Sequence, residues 1–179
     1  VWNGSITYAA ATPTIVSSSL SLDNNYLDIT LSESIYNTNG GSGALEVSDF
    51  NLTFAQNNGN ATAASISSIK KNDNASEGSS TSLSGGETII RIFLNISGTP
   101  SGVETITITP TNGSSIYNAS GQAMGSSEST GAKTLKDKAP PTITAISIAS
   151  DNSTIAVTIS EAVYNTNVGS GGLEASDLT

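Results

Sequence analysis

The sequence predicts an all-β protein in which antiparallel β-sandwiches follow one another in tandem. Three observations support this prediction. Apolar residues alternate with polar ones in short segments, runs rich in Gly, Asn and Ser separate these segments, and one stretch of sequence occurs twice. No window carries an apolar stripe at helical spacing. With 179 residues, the chain has room for one complete domain of ordinary size and part of a second.

Period-two alternation defines the strands of the predicted sandwich, because successive side chains of a strand point to opposite faces. The most apolar segment, 87–94, is expected to be the central strand, and about seven strands at this spacing are typical of an antiparallel β-sandwich. The clearest strand segments are 26–32, 50–54, 87–94 and 105–109, and 15–20 and 66–69 are weaker candidates. The predicted core consists of Ile15, Ile29, Leu31, Phe50, Leu52, Ile90, Ile92, Leu94, Ile106 and Ile108.

An internal repeat sets the domain boundaries. Residues 13–51 align without a gap to residues 141–179, and 20 of the 39 aligned pairs are identical. One full unit is therefore expected over 13–138. Residues 1–12 are expected to be a leader or the last strand of a preceding repeat. Residues 139–179 are expected to begin a second, truncated repeat.

The truncated copy follows an extended junction and is expected to need a partner. Pro140 and Pro141 fix the backbone before it in a semi-rigid form, which favours a stacked rod over a flexible tether. An apolar strand face without an opposing sheet invites pairing and aggregation. Either the natural polypeptide continues beyond Thr179, which we favour, or strands of a neighbouring chain complete the fold. The residues of this predicted face are Ile143, Ile148, Ile155, Val157 and Ile159.

Composition and charge exclude several classes of function. Six basic and 15 acidic residues give a formal net charge of −9, which does not suit nucleic-acid binding. The sequence contains neither cysteine nor histidine, which excludes disulfides, thiolate nucleophiles, Cys/His zinc sites and histidine-based catalysis. No apolar run approaches the roughly 20 residues of a membrane helix. We therefore expect no nucleic-acid partner and no membrane span.

Several motifs stand out from the Ser/Thr-rich background. They are Pro-Thr-Ile at 13–15, Ser-Glu-Ser-Ile-Tyr at 32–36, Gly-x-Leu-Glu-x-Ser-Asp-Phe at 43–50, Ser-Gly-Thr-Pro-Ser-Gly at 97–102 and Ile-Tyr-Asn-Ala-Ser-Gly-Gln-Ala at 116–123. Together they resemble bacterial immunoglobulin-like (Ig-like) tandem repeats of large secreted or surface-attached proteins. The resemblance spans 13–179. It implies an Ig-like antiparallel β-sandwich in tandem repeat, an extracellular or cell-surface location, and no catalytic residue.

Calcium is the one cofactor that the residues suggest, because it needs only oxygen ligands. Asp137 precedes the proline pair, and Glu161 ends a predicted strand of the second repeat. These two residues are the candidate ligands for a calcium ion at the inter-repeat junction. Alternatively, Asp137 pairs with Lys136 or Lys138, or faces solvent. The preceding junction lacks this ligand, because Ala9 is the aligned residue.

Eight Asn-x-Ser/Thr sequons predict a glycoprotein. Several of them fall in predicted loops, where a glycan would be tolerated. The alternative is that these asparagines serve turns within a surface that is rich in Ser and Thr. The sequons begin at Asn3, Asn51, Asn60, Asn74, Asn95, Asn112, Asn118 and Asn152.

Carboxylates are the only acid–base groups available for catalysis. Glu33 or Glu46 together with Asp49 would be the pair for glycoside hydrolysis, which requires two such groups. Groups that recur in a second repeat more often serve the fold, so we expect no enzyme. The recurring counterparts are Glu161, Glu174 and Asp177.

The expected function is therefore structural. The chain would be a repeat module of an adhesin shaft, a surface layer or a filament subunit, with further repeats or neighbouring copies as its partners. Its 31 Ser and 22 Thr residues and its acidic balance would keep such an array soluble. The alternative is a module that binds glycans or a protein surface through loops such as 37–43 or 72–86. The dispersed aromatic residues favour the structural role.

Overall fold

The computed structural model describes residues 11–167 and 169–178. It separates into two compact units, with the boundary between Lys138 and Ala139. Both units consist of antiparallel strands, and the described residues contain no α-helix. The prediction of an all-β antiparallel fold is therefore confirmed. Most of the predicted leader, residues 1–10, lies outside the described residues.

The strands of the first unit form two sheets. The larger sheet has the order β1-β2-β5-β4, with the short strand β7 paired to the end of β2, and the smaller sheet has the order β3-β6-β8. The strands are β1 Ile15–Leu20, β2 Tyr26–Tyr36, β3 Phe50–Ala55, β4 Ala63–Lys71, β5 Glu87–Ser97, β6 Thr105–Pro110, β7 Tyr117–Asn118 and β8 Lys133–Thr134.

Residues from both sheets share one apolar core, which gives the first unit a sandwich-like arrangement. Eight of the ten predicted core residues are buried, whereas Ile15 and Leu52 are partly buried and pack against the core. Strand alternation therefore identified most of the core. Further buried core residues are Leu27, Ile35, Leu45, Ile69, Ile116, Met124 and Leu135.

The second unit contains one hairpin, formed by β9 Ile143–Ile148 and β10 Ile155–Ile159. Its register matches that of β1 and β2 at every aligned pair: Ile148 lies opposite Ile155, as Leu20 lies opposite Leu27. The pairing also shifts at the aligned place, where β9 and β1 each have one extra residue. Such a bulge bends the strand and increases its twist. The repeated sequence therefore builds the same hairpin twice.

The turns of the two hairpins are also alike. Asn24 and Asn152 adopt φ values of 62° and 56°, a left-handed conformation that asparagine tolerates better than most residues. The turns close with the Ser21 N–H donating to the Tyr26 carbonyl and the Ala149 N–H donating to the Thr154 carbonyl. Equivalent local sequences therefore form equivalent turns in the two units.

Candidate functional site

One side of the second hairpin is an exposed apolar surface. Directly paired residues project from the same side of a sheet, so Ile148 joins Ile155 and Ile146 joins Val157 on one face. The isoleucines of this face are 62–65% exposed and Val157 is 41% exposed. We call this surface the hairpin face; its residues are Ile143, Ile146, Ile148, Ile155 and Val157. Contiguous exposed apolar residues mark interaction surfaces in soluble proteins.

The aligned residues of β2, Leu27 and Ile29, are buried, and the aligned residues of β1, Ile15, Ser18 and Leu20, are partly buried. Leu27 and Ile29 are 0% exposed and Leu31 is 4% exposed. They are covered because β5 pairs with the edge of β2 and because the sheet that contains β6 contributes to the same core. Among the described residues, β10 pairs with β9 alone. The hairpin face is thus an exposed surface on β9 and β10, the counterparts of two strands that contribute to the core of the first unit.

The outer side of the β2–β5 pair carries a buried ion pair. Arg91 is 3% exposed, and its Nε and Nη2 donate to the two carboxylate oxygens of Asp28 at 2.7 and 2.9 Å. Nη2 also donates to the Asn72 side-chain oxygen at 3.0 Å. The guanidinium carbon lies 3.7 Å from the centre of the Tyr26 ring. Hydrogen bonding to Asp28 raises the pKa of Arg91, which remains charged.

Sequence reasoning did not identify this cluster. The register of β2 and β5 creates it, because Asp28 lies opposite Arg91 and Tyr26 lies opposite Phe93. The signal available in the sequence was a charged residue amid branched apolar residues, in the strand predicted to be central. Such a residue needs a partner when it is buried.

The loop 72–86, one of the predicted binding loops, is held in place by its carboxylates. Asp73 accepts hydrogen bonds from the Ser80 hydroxyl and the Thr81 N–H, and these contacts hold its pKa well below the usual range. A cleft of about 270 Å³ lies beside this loop. Its lining includes Asp23, Asn25, Tyr26, Ser76, Glu77 and Phe93.

The other predicted binding loop, 37–43, is a tight turn. The Thr38 hydroxyl lies 2.8 Å from the Ser42 carbonyl oxygen, to which it donates. The Asn37 N–H donates to the Gly43 carbonyl at 3.3 Å. Hydrogen bonds within the loop therefore hold its backbone in this turn.

The two predicted calcium ligands belong to different units. Asp137 is an exposed residue of the first unit, beside Gly102, and Glu161 is an exposed residue of the second. In the part of the chain that the structure describes, no three acidic side chains are grouped closely enough to hold a metal ion. Calcium at the inter-repeat junction stays a prediction.

Most of the predicted glycosylation sites are exposed. Asn3 lies outside the described residues. Asn118 is 2% exposed, and its side-chain nitrogen, to which a glycan would be attached, donates to the Ala11 carbonyl and to Glu33 Oε2. The folded chain therefore does not present Asn118 for modification. The exposed sequon asparagines are Asn51, Asn60, Asn74, Asn95, Asn112 and Asn152.

Of the carboxylates considered for catalysis, Asp49 binds the backbone, as does its counterpart Asp177. Asp49 Oδ2 accepts the Glu46 N–H at 2.8 Å, and in the second unit Asp177 accepts the Glu174 N–H at the same distance. Each pair closes a single 3-10 turn, Val47–Asp49 or Ala175–Asp177. Desolvation raises the pKa of Asp49, partly offset by the Glu46 N–H. Asp49 and Asp177 are therefore turn caps, and such caps contribute about 1 kcal/mol.

A buried carboxylate, Glu104, joins two loops of the first unit. It is 0% exposed and accepts hydrogen bonds from the N–H groups of Ala61, Ser101 and Val103. Desolvation raises its pKa, but the backbone donors outweigh this effect and the net shift is downward. Gly59 leaves the space for this side chain, because a Cβ there would lie 2.2 Å from the Glu104 carboxyl carbon. Sequence reasoning did not identify this residue either.

No protein-family model, curated protein or solved structure matches the chain. Across the described residues, no helix has the length and apolar character needed to cross a membrane. The function is therefore inferred from the chain's own sequence and geometry.

Proposed function

We propose that this chain is a structural repeat module of an extracellular surface protein, such as an adhesin shaft, a surface layer or a filament subunit. In this proposal the first unit is a complete Ig-like repeat and the hairpin of the second unit begins the next one. The observation that carries the proposal is the second hairpin. It repeats the register, bulge and turn of the first, yet it exposes Ile155 and Val157, whose counterparts Leu27 and Ile29 are buried.

The roles of the acidic residues support a structural module. Glu46 with Asp49, and Glu174 with Asp177, close the same turn in each unit, and Glu104 binds backbone donors. These groups are engaged in holding loops, as expected when each repeat must present rigid ends to its neighbours. The net charge of −9 opposes nonspecific association of such arrays.

A second candidate function, glycan binding, is favoured by the cleft beside the loop 72–86. Its lining combines aromatic side chains with carboxylate and amide groups, the mixture that polar ligands such as saccharides require. Glycan-array binding by the whole chain that is lost in Tyr26→Ala would support this function. Ser76→Ala, which changes another residue of the cleft lining without removing an aromatic ring, is the matched control. Absence of binding would favour the structural role.

The structural proposal is tested by completing the second repeat. Thr179 aligns with Asn51, so a second copy of residues 52–138 joined after Thr179 restores the full repeat. We expect the backbone amides of β10 to become protected from hydrogen exchange and to unfold cooperatively with the added segment. A β10 that exchanges as freely in the extended chain as in the 179-residue chain would contradict the proposal.

A further inference from the structure

The first unit shows which kind of strand belongs beside β10. In the first unit, β5 occupies the edge of β2 opposite β1, with Leu27 opposite Ile92 and Ile29 opposite Ile90. The aligned residues of β10 are Ile155 and Val157, which preserve the branched apolar side chains of this contact. The edge of β10 is thus built for an antiparallel strand of the β5 type.

The outer side of β10 differs from that of β2. Ala156 stands where β2 has Asp28, and Thr154 stands where β2 has Tyr26. Both substitutions remove contacts of Arg91: the carboxylate that accepts two of its hydrogen bonds and the ring beneath its guanidinium. The inward residues of β2 are matched by apolar residues in β10, whereas the outward residues Tyr26 and Asp28 are replaced by Thr154 and Ala156.

We propose that β10 accepts the β5 counterpart of its own repeat, and that this strand carries an uncharged residue at the position of Arg91. Because Asp28 pairs with Arg91 and Ala156 cannot, each hairpin then favours the β5-type strand of its own repeat. The inference rests on the proposed repeat function and adds to it the identity of the partner strand. It assigns Asp28 a role in partner choice.

The selection follows from the cost of burying a charge. An arginine opposite Ala156 would lose water without gaining a carboxylate, and an unpaired buried charge is strongly unfavourable. The reverse mismatch is milder, because the Asp28 side chain is 24% exposed and retains contact with water. Neighbouring repeats with the same backbone can exchange strands. A charge pair present in one repeat and missing in the next disfavours that exchange.

The test uses the 179-residue chain extended by a second copy of residues 52–138. Four proteins form a cycle. The added segment carries either arginine or R91V at the position equivalent to Arg91, and β10 is either unchanged or carries T154Y together with A156D. Hydrogen exchange of the amides of Ile155–Ile159 across a urea series gives the unfolding equilibrium constant of the second repeat. The same constant for Leu27–Leu31 in the first unit is the internal control and should not change.

With unchanged β10, we expect the R91V segment to give the more stable second repeat, by on the order of a hundredfold in the unfolding equilibrium constant. With T154Y and A156D, the arginine segment should become the more stable one. If both segments stabilise unchanged β10 equally, strand selection is overturned but the repeat function stands. If neither segment protects β10, the proposed function fails together with this inference.

Discussion

The two hairpins of this chain have the same backbone geometry, but apolar residues that are buried in β2 are exposed at the aligned positions of β10. β1–β2 and β9–β10 share register, bulge and turn. The inward residues of β2 are 0–4% exposed, whereas Ile155 and Val157 of β10 are 65% and 41% exposed. The shared local sequence therefore accounts for the shape of this hairpin, whereas burial of its apolar residues depends on strands that are distant in sequence. An isolated two-stranded hairpin is only marginally stable in water.

The largest difference is expected between aligned core positions. Ile29→Ala should lower the free energy of unfolding of the first unit by about 2–5 kcal/mol, because it leaves a cavity in a closed core. Val157→Ala, at the aligned and exposed position, should change stability by less than about 0.5 kcal/mol. Urea unfolding followed by circular dichroism compares the two variants. Equal losses would show that the second hairpin is also packed against a core.

The buried ion pair should give the next largest effect. Asp28→Ala leaves Arg91 without its carboxylate and should cost about 2–3 kcal/mol, less than for a fully buried pair because Asp28 is 24% exposed. The double variant Asp28→Ala with Arg91→Val should recover most of this loss. In the second hairpin, the residue aligned with Asp28 is already an alanine, Ala156. A double variant no more stable than Asp28→Ala would show that Arg91 does not need the carboxylate.

Glu104 should make the first unit sensitive to acid. Its pKa is lowered in the folded chain, so the unfolded chain binds the proton more readily. The stabilisation is therefore present above the usual carboxyl pKa of 4.5 and is lost as the pH falls through the lower folded value. Glu104→Gln should cost about 1–3 kcal/mol at neutral pH.

Urea unfolding between pH 7 and 2.5 measures this dependence. The Glu104→Gln variant should lose less stability on acidification than the unchanged chain does. Part of the slope will remain, because other carboxyl groups of the first unit also have lowered pKa values. An identical pH profile for the two proteins would contradict the role given to Glu104. The other groups are Asp23, Asp73, Glu77 and Glu87.

The smallest effect is expected at an aligned pair of glycines. Gly43 and Gly171 have φ values of 82° and 84°, and a Cβ at either would lie 2.1 Å from the neighbouring Asn37 or Asn165 side-chain oxygen. Gly43→Ala should destabilise the first unit by about 1–2 kcal/mol, the cost of a left-handed backbone with a side chain. Gly171→Ala should leave the unfolding midpoint of the first unit unchanged. A shift of that midpoint would show that the two units unfold together.

The sequence predicted what depends on local pattern. Alternation along β2, β5 and β6 identified inward residues such as Ile29 and Ile108, and the repeat identified the second hairpin. Leu45 and Met124 were not predicted as core residues, because they lie between strands, where the sequence shows no alternation. The Arg91–Asp28 pair depends on register between strands that are 63 residues apart in sequence. Glu104 becomes recognisable only when the loop of Ala61 folds over it.

The hairpin face was predicted almost completely. Ile159, which was expected in it, lies opposite Ile143 on the same side and is half-buried. Ile146 was not predicted, and it belongs to the face and is 63% exposed. The residue aligned with Ile146 is Ser18, so the first repeat gave no apolar signal at this position. The additional isoleucine enlarges the exposed apolar surface of the hairpin.

Hydrogen exchange of the 179-residue chain tests the central claim most directly, because both hairpins are measured in one molecule. We expect the amides of Leu27–Leu31 to exchange only through global unfolding of the first unit. The amides of Ile155–Ile159 should exchange orders of magnitude faster, at rates close to those of a hairpin in solution. Equal protection of the two strands in monomeric protein would contradict the claim that the hairpin face lacks its cover.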